Sequence, residues 1–239
     1  MQNQPKESQV KERRSVSYNI LAAGIGVIAL YLGMIIHLIN KDRPLSNSEY
    51  IFYLAVISPL TIVIIFLLLR FLNKEHYRDL NLKEGSLPSD LLATLFLSIV
   101  LFAANIISQP LLSEILPDTD TGVGDLFLEM SGNPGRFIVF LGPLILLGAA
   151  SEELMRAFLL SRFWKVWPSL PGKLAVVFIS ACLFGLLHLS RGPVHVVWAT
   201  IFGLLMAFYY LRFGRILPLI LAHYITNAVQ IVITIFILS

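Results

Sequence analysis

Cysteine is nearly missing from this chain. Cys182 is the only one in 239 residues, so no intrachain disulfide can form and nothing speaks for an oxidised compartment. Charge is scarce as well: 14% of residues are charged and 56% hydrophobic, where soluble domains usually hold roughly 25% and about 45–50%. With a mean hydropathy of +0.77, an ordinary soluble domain is excluded. No internal repeat is visible, and the tail Phe236-Ile237-Leu238-Ser239 carries no lipidation motif. The symmetric pairs of broken helices that mark many transporters are missing too.

What is present is long apolar blocks. They run for about 18 residues or more with almost no charge, the length a helix needs to cross roughly 30 Å of hydrocarbon. Seven spans are predicted, over about 17–39, 50–72, 90–109, 137–161, 174–190, 194–212 and 216–238. The fold expected is therefore an all-α polytopic transmembrane helix bundle. Residues 1–16 read as a cytoplasmic tail, 17–136 as scaffold spans with an outer loop, and 137–239 as a core that carries polar motifs. The first span is too long for a signal-peptide core and is expected to stay attached. Segment 110–136 holds the helix breakers Pro110, Pro117, Gly132 and Pro134 and reads as a loop over the outer face.

The net charge of +3 is spread through the connections rather than gathered on one face, so no nucleic-acid partner is expected. Lys6, Lys11, Arg13 and Arg14 precede the first span, and Arg70, Lys74, Arg78 and Lys83 follow the second. Arg162, Lys165 and Lys173 follow the fourth, and Arg212 and Arg215 the sixth. Loop 110–136 is acidic. Basic residues collect on the cytoplasmic side, which places the N-terminus inside. Trp164 and Trp167, in the connection 162–173, read as headgroup-level anchors.

The first three spans are bland. His37 and Asn105 stand alone in them, and His37, near a span end, reads as a snorkelling or capping residue. The later spans are not bland: Glu152, Glu153 and Arg156 sit in the fourth, His188 in the fifth, and His223 with Asn227 in the seventh. An ionisable group in a span costs about 2.5–3.5 kcal/mol on insertion scales and normally faces a partner or a wet cavity. Helix glue, at about 0.6 kcal/mol per hydrogen bond, accounts for any one of these residues alone. Six together read as one intramembrane site. Glu152 and Arg156 are four apart, the favourable order for an ion pair. His223 and Asn227 share a face in the same way. Such a set can activate water with a carboxylate base while His and Asn stabilise an oxyanion. Alternatively, His188 and His223 with a carboxylate can hold a divalent metal such as zinc. Depth counting along the helices requires the fifth helix to begin late or to tilt, so that His188 can join the others.

These motifs resemble the CPBP intramembrane metalloproteases, also called the CAAX-protease or Abi family, whose members include endoproteases that trim prenylated tails and proteins of bacteriocin self-immunity. The family signatures are Glu-Glu-x-x-x-Arg, Phe-x-x-x-His and His-x-x-x-Asn. Phe184 to His188 and His223 to Asn227 match as written, and Gly203 to Asn227 resembles the family throughout. The first motif differs, reading Ser151-Glu152-Glu153-Leu154-Met155-Arg156. Anchored on Arg156, Ser151 replaces the first glutamate. Anchored on the two glutamates, Arg156 comes one residue early, which is expected to need a bulge in the helix.

The resemblance implies an intramembrane endopeptidase in a bacterial plasma membrane. It would hydrolyse a peptide bond near the cytoplasmic face, with a peptide or protein substrate and the lipid bilayer as partners. Glu152, Glu153, Arg156, His188, His223 and Asn227 are the candidate catalytic residues. Because the first motif is altered, two further readings stand beside a Glu152 base. One is a Ser151 nucleophile with His188 as its base. The other is an inactive family member that acts as a membrane chaperone, binding or immunity protein.

Overall fold

The computed structural model describes residues 16–29, 31, 51–80, 82–117, 127–129 and 131–238. His37 and most of the acidic stretch around Asp118, Asp120 and Asp125 lie outside them. The described residues are helical and contain no strand. Among the described residues, five helices are long and apolar enough to cross a membrane: α2 (Tyr53–Asn73), α3 (Leu87–Ile115), α4 (Pro134–Val166), α6 (Pro193–Phe213) and α7 (Leu217–Leu238). Two shorter apolar helices, α1 (Val16–Ala29) and α5 (Leu170–Leu186), complete the set. The all-α polytopic architecture is thus the one the hydropathy pattern called for.

The helix limits differ from the pattern where capping chemistry decides them. Asn133 accepts the Arg136 backbone N–H at 3.0 Å, with Pro134 in the first turn. The pair starts α4 three residues earlier than 137, because a proline at that position gives up an N–H with no helical partner anyway. Ser169 caps α5 similarly through the Gly172 N–H at 3.3 Å. The connection 162–173 therefore shrinks, and α5 starts earlier than expected, not later. It ends at Leu186, so His188 stands beyond the helix. Pro110 lies inside α3, which continues to Ile115. One missing backbone bond close to a helix end is tolerated where neighbouring helices pack.

α5 packs most extensively on α6, while α4 lies against α2, α5 and α7, and α7 also lies against α3. Gly185 makes the α5–α6 approach possible. A Cβ there would lie 2.0 Å from Thr200 Oγ1 and 2.7 Å from the Val196 carbonyl oxygen.

One end of the bundle gathers the cations. Arg162 is fully buried and pairs with Glu75 at 2.7 Å, and Lys165 reaches the same carboxylate at 2.5 Å. Arg215 pairs with Asp90. Trp164 faces this packing: it is buried, stacks on Tyr210 and donates to the Lys173 carbonyl at 3.3 Å. Trp167 is half-exposed, as an anchor would be.

Candidate active site

Three consecutive residues of α4 point in different directions because each step turns the helix by about 100°. Glu153 faces inward and has no exposed surface. Arg156 donates from Nε to Glu153 Oε2 at 2.9 Å and from Nη2 to Oε1 at 3.1 Å. Its remaining nitrogen, Nη1, donates to the Gly203 carbonyl at 3.2 Å. The pair is therefore Glu153–Arg156 at i, i+3, and not Glu152–Arg156 at i, i+4. Both spacings put side chains on one face, and the second glutamate wins because Glu152 is turned toward another helix. The regular α-helical stretch Ile145–Val166 accommodates this pairing, so no bulge falls between the glutamates and Arg156, and the π-helical turn Phe140–Leu144 lies upstream of them. Gly203 contributes by being small: a Cβ would come within 3.1 Å of Arg156 Nη1 and 3.3 Å of Phe184.

Glu153 also holds His223. Its Oε1 lies 2.8 Å from Nδ1 of the imidazole. A carboxylate in an ion pair only accepts, so Nδ1 carries the proton. That fixes the ring and turns Nε2 toward Glu152, whose Oε2 is 3.6 Å away. Glu152 receives a further contact from α2, where the Tyr53 hydroxyl donates to its Oε1 at 3.4 Å.

Phe184 organises the rest. The Arg156 guanidinium lies 4.2 Å over its ring, a cation–π contact. Its ring centre is 5.1 Å from that of His188 and 6.0 Å from that of His223. The two imidazoles are thus brought to the same side of the bundle, against one aromatic ring. Both line a cavity of 410 Å³ together with Asn227. His188 sits in the turn after α5, its Nδ1 3.1 Å from the Phe184 carbonyl oxygen. A carbonyl cannot donate, so Nδ1 is the protonated nitrogen and Nε2 keeps its lone pair.

Ser151 is buried, and its hydroxyl donates to the Gly148 carbonyl one turn back at 2.9 Å. The hydroxyl is spent inside its own helix, so the Ser151–His188 dyad is not assembled. His223 gives Nδ1 to Glu153 and faces Glu152 with Nε2, and no three His, Cys, Asp or Glu side chains among the described residues converge as ligands.

Two features escaped the sequence. Tyr53 reaches the site from a scaffold span, and Phe202 packs 4.7 Å from the His223 ring centre. Neither stands out, because tyrosine and phenylalanine are ordinary in apolar spans. The cavity also runs in an unexpected direction, past Arg191 on the α5–α6 connection and His195 in the first turn of α6, and along the C-terminal half of α7. This is the end away from the Arg162, Lys165 and Arg215 cluster.

The fold is a helical membrane bundle in which two imidazoles and an amide line one cavity, and the Glu152 and Glu153 carboxylates contact one of those imidazoles from behind the lining. Residues 134–229 match the family described as type II CAAX prenyl endopeptidase Rce1-like, a protease family. This bears out, over that segment, the resemblance read from the motifs. No curated protein and no solved structure matches the chain.

Proposed function

We propose that the chain is an intramembrane endopeptidase in which Glu152 activates water. The observation that carries this reading is the 3.6 Å separation between Glu152 Oε2 and His223 Nε2, with the imidazole fixed from behind by Glu153 and Arg156. The gap is too long for a direct hydrogen bond and leaves room for a water against both atoms.

Glu152 takes a proton from that water as its oxygen attacks the carbonyl carbon of the peptide bond. His223 Nε2 accepts the water's other hydrogen and holds it in line, and His188 Nε2 accepts from a substrate N–H. The Asn227 carboxamide donates to the oxyanion that forms. As the tetrahedral intermediate collapses, the C–N bond breaks and Glu152 returns its proton to the departing amine. In this reading Glu152-Glu153 is the motif's glutamate pair, with Glu152 as base and Glu153 as the residue that positions His223.

The basic ends of α2, α4 and α6 favour an N-terminus in the cytoplasm. The cavity then serves the half of the membrane nearer the α5–α6 connection, which replaces the expected cleavage near the cytoplasmic face. In proteoliposomes, His188→Ala and His223→Ala should each abolish peptide cleavage with the helical signal intact. Cleavage retained by both variants would overturn the proposal. A parent protein that binds peptide without cleaving it would favour a binding or immunity role.

A further inference from the structure

Much of the lining of the cavity comes from residues outside the matched segment 134–229. On α3, Asn105 and Gln109 are one turn apart and both line it. On α7, Gln230 and Thr234 continue the face that starts with His223 and Asn227. Asn105, Gln109 and Gln230 are half-buried, and no hydrogen bond joins their carboxamides to any described residue. All three lie within helices long enough to span a membrane. An amide left without a partner in hydrocarbon costs several kcal/mol, so carboxamides set along one wall of a cavity point to a polar occupant.

Their chemistry narrows what that occupant is. A carboxamide offers one acceptor and two donors and no charge. Main-chain peptide groups need that complement. The described residues of this wall carry no charge, and the cavity's one guanidinium, Arg191, lies on the α5–α6 connection. Asn105 and Gln109 recur at about 6 Å along their helix, given 1.5 Å of rise per residue. An extended chain presents same-side peptide groups every ~6.6–6.8 Å. Between the amides the wall is apolar, with Phe102, Ile106 and Ile231. An extended backbone at membrane depth is tolerated only where protein or a wet cavity satisfies it.

We infer that Asn105, Gln109 and Gln230 form a binding track for the main chain of an extended, apolar peptide segment lying in the cavity along α3 and α7. The inference rests on the peptidase reading for the fate of that segment, but not for its binding. Selection acts on the ability of the segment to unwind, through its backbone amides, and not on charged side chains.

The test uses the full chain in nanodiscs with Cys182→Ser and Thr234→Cys, so that one thiol reports on the track. The probes are a short peptide of alanine, leucine and valine and the same peptide N-methylated at alternate residues. The measured quantity is the rate at which a water-soluble maleimide labels the thiol. The unmodified peptide should slow labelling. N-methylation, or the substitutions Asn105→Leu with Gln109→Met, should raise the peptide concentration needed by roughly tenfold or more, as expected for losing two hydrogen bonds of ~1 kcal/mol each. Equal protection by both peptides, or none by either, would overturn the inference. Protection without cleavage would remove the peptidase reading alone. Cleavage that is unchanged by Asn105→Leu with Gln109→Met would remove the track alone.

Discussion

Glu153 Oε1 and His223 Nδ1 meet at 2.8 Å although 70 residues separate them in the chain. The contact ties α4 to α7 through an imidazole whose other nitrogen faces the neighbouring glutamate. It divides two adjacent, chemically identical carboxylates into a positioning residue and a candidate base.

That division predicts opposite outcomes for two isosteric changes. Glu153→Gln removes the partner of a buried arginine, and breaking a buried pair in this way typically costs about 3–5 kcal/mol. The variant should melt well below the parent in detergent and lose activity along with its fold. Glu152→Gln should melt close to the parent, because Glu152 is only loosely held. Thermal unfolding followed by circular dichroism separates the two, and equal destabilisation would show that the carboxylates are not divided in role.

Close approach of α5 and α6 predicts an unusual sensitivity at Gly185. Gly185→Ala puts a methyl 2.0 Å from Thr200 Oγ1 and 2.7 Å from the Val196 carbonyl oxygen. Overpacking of this kind costs about 1–3 kcal/mol. Adding Thr200→Ala should restore part of the melting temperature but not all of it, since the backbone contact remains. Full tolerance of Gly185→Ala alone would contradict the packing.

Much of this was legible in the sequence, and the reasons differ from part to part. The apolar blocks announced the helices because lipid leaves no other way to satisfy the backbone of a single span. The six polar residues stood out by their cost in hydrocarbon. Which glutamate pairs with Arg156 was not legible, because i+3 and i+4 lie on nearly the same face and only the position of α7 decides between them. Asn105 looked solitary because Gln109, one turn on, falls at the predicted end of its span, and Gln230 joins it only by packing. Pro110 read as a loop residue because its cost depends on how near the helix end lies.

Restoring the family's first glutamate is predicted to fail. Ser151 is buried and bonded within its own helix, so Ser151→Glu would press a carboxylate into packed apolar surroundings. The expected result is a lower yield of folded, monodisperse protein and no gain in cleavage. A well-folded variant with enhanced activity would show that Ser151 faces the reacting groups after all.

The most direct measurement compares newly formed peptide termini in cell membranes carrying either the wild-type chain or Glu152→Gln at equal abundance, so the substrate need not be identified first. A water-activating base contributes about 10²–10⁴-fold in rate. Termini present with the wild type should therefore vanish with Glu152→Gln while the protein itself persists. The same termini at the same levels in both membranes would show that Glu152 is not the base and that the site works in another way.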